Sequence, residues 1–207
     1  MINVLIVEDQ RMMRESMESY IRKNPRYCLV SSIANAGLAE MSCVQHPVDL
    51  VLMDVCTEND ESGFEATKRI KARFENIKVV IVTSMLDCGY LQRAREVGAD
   101  SIWFKDVSRE ELMNVVERTV NGESVYPEEP PRVQLGNATS HEFSEAEIRV
   151  LRLLVEGMTY QQMADALGLS VQTVKSHVGS MLSKTGFTSK TKLAAVVISK
   201  KLIVNGF

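Results

Sequence analysis

Four apolar runs in this chain end on groups that handle phosphate or metal. Ile2 to Val7 leads into Glu8 and Asp9, Val48 to Met53 into Asp54, Val79 to Val82 into Thr83, and Ile102 to Phe104 into Lys105. Mg²⁺ prefers oxygen ligands and is commonly held by one or two carboxylates together with water and phosphate. Three carboxylates brought together repel one another unless a cation neutralises them. A cation therefore assembles such a site and shields a carboxylate that must attack an anionic phosphoryl donor. Asp54 is the candidate nucleophile, since carboxylates form aspartyl phosphates. Lys105 would pair with phosphoryl oxygens as a compact charge, and Thr83 would donate a hydroxyl hydrogen bond.

Residues at strand ends meet only if the strands lie side by side. The runs Asn3–Val7, Leu29–Ile33, Leu50–Asp54, Val79–Val82 and Ser101–Phe104 are nearly continuous in Val, Ile and Leu. That is the pattern of a parallel sheet covered on both faces. Between them Met13, Met17, Tyr20 and Ile21 form one helical stripe. Leu112, Val115, Val116 and Val120 form another, opened by a capping box of Ser108 and Glu111. Five βα units in series predict an α/β doubly wound five-stranded parallel sheet, whose ligands bind outside the carboxyl ends of the strands.

The 207 residues carry a net charge of −3, distributed unevenly. Residues 141–207 hold eight Lys/Arg against five acids, a balance of +3, while the remainder holds 16 bases against 22 acids, a balance of −6. An acidic front suits metal binding and a basic tail suits a polyanion. Cys28, Cys43, Cys56 and Cys88 show neither a C-x-x-C pair nor a His at metal spacing, so zinc and a disulfide framework are not expected. No run approaches the roughly 18 apolar residues of a membrane span, and no basic leader precedes the first strand. A cytoplasmic protein with no membrane partner is expected.

With its motifs V-L-I-V-E-D, V-L-M-D-V, V-V-I-V-T-S and W-F-K-D in order, the segment 1–121 resembles the receiver domain of bacterial two-component response regulators. The resemblance implies that Asp54 accepts a phosphoryl group from a phosphohistidine on a sensor histidine kinase. It implies Mg²⁺ held by Glu8, Asp9, Asp54 and the backbone carbonyl of Cys56, with Thr83 and Lys105 sensing the phosphoryl group. Three features depart from the family. The loop after Asp54 reads V-C-T-E-N-D-E-S-G, with Glu58 where a proline is usual and Gly63 one residue late, so it carries an insertion and three extra acids. The usual switch aromatic is Ile102, with Trp103 beside it on the opposite face. Lys105 is followed by Asp106 in place of proline.

Residues 122–142, with Pro127, Pro130, Pro131 and Gly136, read as a tether. Residues 143–207 then predict an all-α four-helix helix-turn-helix domain. Ser144 with Glu147 caps a first helix, Thr159 with Gln162 a second, and Ser170 a third after the turn at Gly168. On the third helix Val171, Val174, Val178, Met181 and Leu182 share a core face. Gln172, Ser176, Gly179, Ser180 and Ser183 lie opposite, flanked by Lys175 and Lys184. That small polar face would let a helix lie close in a DNA major groove. The segment resembles the LuxR-type helix-turn-helix domain through F-S-E-A-E-I-R-V-L, G-M-T-Y-Q-Q-M-A-D-A-L-G-L-S and T-V-K-S-H-V-G-S-M-L-S-K-T-G. The two resemblances together indicate the NarL/FixJ class. It implies base-edge contacts to double-stranded DNA from Lys175, Ser176 and Gly179, with Gln172 on the same face, and backbone contacts from Thr173 and Lys184. Glu147 and His177 match packing positions. The last helix, Lys190 to Leu202, is expected to expose Leu193, Val196 and Val197 as a dimer contact, used when phosphorylation drives a homodimer.

The expected protein is thus a phosphorylation-controlled transcription regulator and not an enzyme with a separate substrate. The alternative is a phosphorylation-independent or ligand-sensing regulator with a degenerate receiver. A haloacid-dehalogenase-type phosphatase would need a second Asp two residues after Asp54, where Cys56 stands.

Overall fold

The computed structural model describes residues 1–84, 88–105, 109–128, 132–200 and 202–203. The capping residue Ser108, Asp106 and the prolines at 130 and 131 lie outside the described residues. The described residues fall into two compact units, the first within 1–128 and the second within 132–203.

In the first unit the β-branched runs form a five-stranded sheet of β1 (Ile2–Val7), β2 (Tyr27–Ile33), β3 (Leu50–Asp54), β6 (Lys78–Thr83) and β7 (Ser101–Phe104). Its order is β2-β1-β3-β6-β7 and every pairing is parallel. Helices α1 (Arg11–Arg22), α2 (Ala39–Gln45), α3 (Gly63–Arg73), α4 (Cys88–Glu96) and α5 (Arg109–Val120) make the crossovers. On one face Val4, Ile6, Leu50, Leu52, Val80, Val82 and Trp103 pack with Met17 and Ile21 of α1 and Leu112 and Val116 of α5. The alternating residues Leu5, Val51, Met53, Val79, Ile81 and Ile102 are equally buried, so both faces are covered. Trp103 and Ile102 thus face opposite sides of the sheet. The strand order reverses between β1 and β3, and the crevice opens at the carboxyl ends of those two strands.

Two local features exceed the sequence reading. The insertion after β3 is an ordered hairpin of β4 (Cys56–Thr57) and β5 (Glu61–Ser62), turned through Asn59 at φ 61°. Beyond α5 the chain returns along the edge of β7. Ile102 N–H donates to Val125 O at 3.0 Å, and Val125 N–H donates to Ser101 Oγ at 2.9 Å. The Tyr126 hydroxyl donates to Ala99 O at 2.7 Å, with Arg95 4.7 Å above its ring. These bonds cover part of an edge strand that would otherwise offer unpaired backbone groups.

The second unit opens with a short ribbon, β8 (Gln134–Leu135) and β9 (Ala138–Thr139), followed by α6 (Glu145–Val155), α7 (Tyr160–Leu167), α8 (Val171–Thr185) and α9 (Lys190–Ser199). The capping boxes at Ser144 and Thr159 form in full, and Ser170 accepts from Thr173 N–H. Gly168 ends α7 in the left-handed region at φ 66°, which a side chain would disfavour. The apolar exposure expected of α9 is corrected. Leu193 and Val197 are fully buried because α9 packs against α6, Val196 is half-buried, and the large apolar side chain that α9 exposes is Ile198. No helix among the described residues is long and apolar enough to cross a membrane.

Candidate functional site

The parallel register brings the strand-end groups together. Glu8 and Asp9 follow β1, and Asp54 closes β3 beside it. One ligand oxygen from each of Glu8, Asp9 and Asp54 lies within 4.8 Å of the others. Lys105, immediately after β7, donates to Asp54 Oδ2 at 2.8 Å and stands 2.7 Å from Glu8 Oε2. The other Asp54 oxygen accepts from Val55 N–H at 2.8 Å. Thr83 ends β6 almost fully buried, and its carbonyl accepts from Lys105 N–H at 2.8 Å. Five of the six expected receiver residues, Glu8, Asp9, Asp54, Thr83 and Lys105, therefore line one end of the sheet. The sixth, Cys56, lies in β4 two residues beyond Asp54.

Burial governs the electrostatics here. It pushes the Glu8 carboxyl up to about 7, with Asp54 adding to the rise and Lys105 opposing it. Burial also raises Asp54 above the ordinary carboxylate range, against the pull of Lys105. For Lys105, burial disfavours the charge, but Asp54 and Glu8 outweigh it and raise the ammonium pKa. Three carboxylates against one ammonium leave a formal −2 in a site where Glu8 and Asp54 are buried and Asp9 is half-buried. The Glu8 Oε2 atom is buried and close to Lys105, yet no donor is aligned on it as a hydrogen bond. A buried carboxylate oxygen of this kind, beside two further carboxylates, fits a Mg²⁺ site.

Residues outside the expected set shape the same end of the sheet. Arg14, on the first turns of α1, donates to Glu8 O at 2.6 Å and to Asp9 O at 3.3 Å, fixing the backbone of the acidic pair. The sequence signal was available: a guanidinium five residues beyond Asp9 on a helix can fold back to its amino terminus. Gly63 admits α3 against the acceptor strand, because a Cβ there would overlap the Asp54 carbonyl oxygen.

In the second unit α8 presents Gln172, Lys175, Ser176, Gly179, Ser180 and Ser183 to solvent, while Val174, Val178 and Met181 are buried. Thr173 is half-buried beside its cap, Ser170. A Cβ at Gly179 would meet nothing within 4 Å, so internal packing does not require that glycine. Lys184 is engaged internally. Its ammonium donates to Glu147 Oε2 at 2.7 Å and to Glu142 O at 2.8 Å. Glu147, itself buried, also accepts from Ser180 Oγ at 2.7 Å and Ser144 N–H at 2.8 Å. This carboxylate ties α8 to the start of α6.

The comparisons agree with this two-part geometry. Residues 4–117 match the response regulator receiver domain, and residues 141–197 match the bacterial regulatory proteins of the luxR family. The chain is 32% identical to the response regulator protein VraR of Staphylococcus aureus, over 98% of this chain and 99% of that protein. The Staphylococcus saprophyticus VraR is 30% identical over the same shares. Among solved structures, RcsB from Salmonella enterica serovar Typhimurium, bound to a promoter in the presence of phosphomimetic BeF3-, superposes with a TM-score of 0.64 at 18% identity, covering 95% of this chain and 97% of RcsB. A LuxR-family DNA-binding response regulator from Staphylococcus aureus gives a TM-score of 0.55 at 26% identity, covering 58% of this chain and all of that one.

Proposed function

The chain belongs to the two-component response regulators, with a receiver domain and a LuxR-type DNA-binding domain, and from that premise we propose that phosphorylation of Asp54 controls DNA binding by the second unit. The observation that carries this reading is the Glu8, Asp9, Asp54 and Lys105 cluster, complete in position and charge. A degenerate receiver would have no reason to keep three buried or half-buried carboxylates and an ammonium within contact of one another.

In this reading an Asp54 oxygen attacks the phosphorus of a phosphohistidine on a sensor histidine kinase. The P–O bond forms as the P–N bond breaks, and the imidazole nitrogen keeps the electron pair and takes a proton from solvent. Glu8, Asp9, Asp54 and the Cys56 carbonyl would hold Mg²⁺, which supplies the positive charge that lets an anionic phosphoryl group approach a carboxylate. Lys105, released from its present bonds to Asp54, pairs with a phosphoryl oxygen, and the Thr83 hydroxyl donates to another. The new acyl phosphate carries roughly one more negative charge than the carboxylate it replaces, together with added acceptor oxygens. Lys105 and Thr83 therefore have a reason to re-partner.

On DNA, α8 would enter the major groove with Gln172, Lys175, Ser176 and Gly179 toward base edges and Thr173 toward the backbone. Lys184 holds α8 through Glu147 and would offer its remaining N–H to a backbone phosphate. RcsB is recorded as dimers bound to DNA, and a homodimer on paired half-sites is proposed for this chain. A full switch from about 1:99 to 99:1 needs roughly 5.5 kcal/mol, more than one Thr83 hydrogen bond supplies. Pairing two copies on adjacent half-sites amplifies a smaller shift. The test is intact mass after incubation with acetyl phosphate and Mg²⁺, followed by footprinting with and without the modification. One added phosphoryl, lost in Asp54→Asn, with footprints strengthened on labelling, is expected. An unlabelled chain that footprints equally well would overturn the proposal.

A further inference from the structure

The insertion after Asp54 forms a closed structure tied at both ends. At its base, Gly63 N–H donates to Val55 O at 2.8 Å, so the loop 55–63 returns to the peptide that carries Asp54. Val55 N–H in turn donates to Asp54 Oδ1. At its far side the hairpin is bound to the turn that follows β2. Glu58 N–H donates to Ala34 O at 3.3 Å, and the Asn35 side chain donates to Glu58 O at 3.1 Å. Between the two lies Thr57, buried, whose hydroxyl accepts from Ala36 N–H at 2.9 Å and donates to Glu61 O at 2.8 Å. One hydroxyl thus joins the β2 turn to both strands of the hairpin.

The inserted acids are placed by this arrangement. The Glu61 carboxylate lies against Gly37, where an added Cβ would stand 3.0 Å from its Cδ. Glu58 is exposed, and among the described residues the metal-competent cluster contains Glu8, Asp9 and Asp54 alone. Cys56 sits between the Asp54–Val55 peptide and Thr57, so its main chain is fixed on both sides.

We infer that Thr57 is a positioning residue for the metal site: its hydroxyl locks the inserted hairpin and thereby fixes the Cys56 carbonyl toward the divalent cation. The inference rests on the phosphoryl-acceptor reading above. The physical reason is that a nine-residue loop without such a tie would sample many conformations, and ordering it would be charged to cation binding. Thr57 and Asn35 complete that ordering in the folded chain. The hydroxyl acts on the affinity for the cation and leaves the chemistry at Asp54 unchanged once the cation is bound.

The experiment is calorimetric titration of the full-length protein with Mg²⁺ alone, paired with the rate of Asp54 labelling by acetyl phosphate as a function of Mg²⁺. Thr57→Val keeps the shape and removes the hydroxyl, leaving Ala36 N–H buried without its acceptor. It should weaken Mg²⁺ binding by about five-fold or more. Labelling should then need proportionately more Mg²⁺ and reach nearly the wild-type rate at saturation. Thr57→Ser should restore wild-type binding. Asn35→Ala, which loses the more exposed bond to Glu58 O and the bond its Oδ1 accepts from Gly37 N–H, should shift the midpoint in the same direction by less, and it decides the matter if Thr57→Val does not fold. Wild-type Mg²⁺ affinity in Thr57→Val, or in Asn35→Ala when it alone folds, overturns the inference, as does a lowered saturating rate with an unchanged midpoint. A wild-type chain that binds Mg²⁺ yet is never labelled counts instead against the phosphoryl-acceptor reading.

Discussion

Replacing Glu147 by Gln tests whether one buried carboxylate holds the DNA-facing helix in place. Burial would raise this carboxyl, but hydrogen bonds from Lys184, Ser144 N–H and Ser180 outweigh burial and bring it from 4.5 down to about 2. At about 1.4 kcal/mol for each pH unit, the charged form gains about 3 kcal/mol from the folded environment. Lys184 is 33% exposed, so solvent screening reduces the recoverable part to about 1–2 kcal/mol. Because the folded value is depressed, this stability is complete above pH 4.5 and is lost as the pH falls toward about 2. Glu147→Gln should therefore destabilise the second unit by about 1–2 kcal/mol at pH 7, and the gap to wild type should close between pH 4.5 and 2. Hydrogen exchange at the α8 amides of the full chain, compared at matched pH between the two proteins, reads this gap without interference from carboxylates of the first unit. A gap that persists undiminished at pH 2.5 would assign the loss to packing and refute the ionic argument, and no gap at pH 7 would refute the network altogether.

Asp54→Asn should abolish labelling by a small phosphodonor, whereas Thr83→Ala should still be labelled yet gain no DNA affinity in footprinting. Gly63→Ala should destabilise the first unit by about 1–3 kcal/mol in urea titration, because its methyl group must displace the acceptor peptide, and labelling should slow with it. Lys175→Ala should cost about 1–3 kcal/mol of DNA binding and relax sequence preference, measured as the ratio of specific to non-specific affinity. Lys184→Ala should lower both the stability of α8 and the salt slope of binding by about one, and an unchanged slope would confine Lys184 to its bonds with Glu147 and Glu142.

The parallel sheet was legible because its signal is local: each strand is a short β-branched run, and each site group is the first polar residue after one. The helix starts at Ser144, Thr159 and Ser170 were legible for the same reason, since a cap and its partner lie three residues apart. What the sequence hid depends on partners distant along the chain. Leu193 and Val197 looked like spare apolar surface because nothing in α9 states that α6, some 40 residues earlier, covers them. Lys184 looked like a surface cation because its carboxylate is 37 residues away. The insertion at 55–63 could be counted but not shaped, since the groups that order it, Ala34 to Ala36, belong to another strand's exit. The same division bears on mechanism. The reacting groups were readable one by one, and so was the backbone clamp from Arg14, five residues beyond Asp9, whereas the support from Thr57 and Gly63 comes from the folded loop, its contact with the turn after β2 and its closeness to the Asp54 peptide. Substitutions at those supporting positions are consequently where this chain can differ from its relatives in cation affinity while keeping the same acceptor carboxylate.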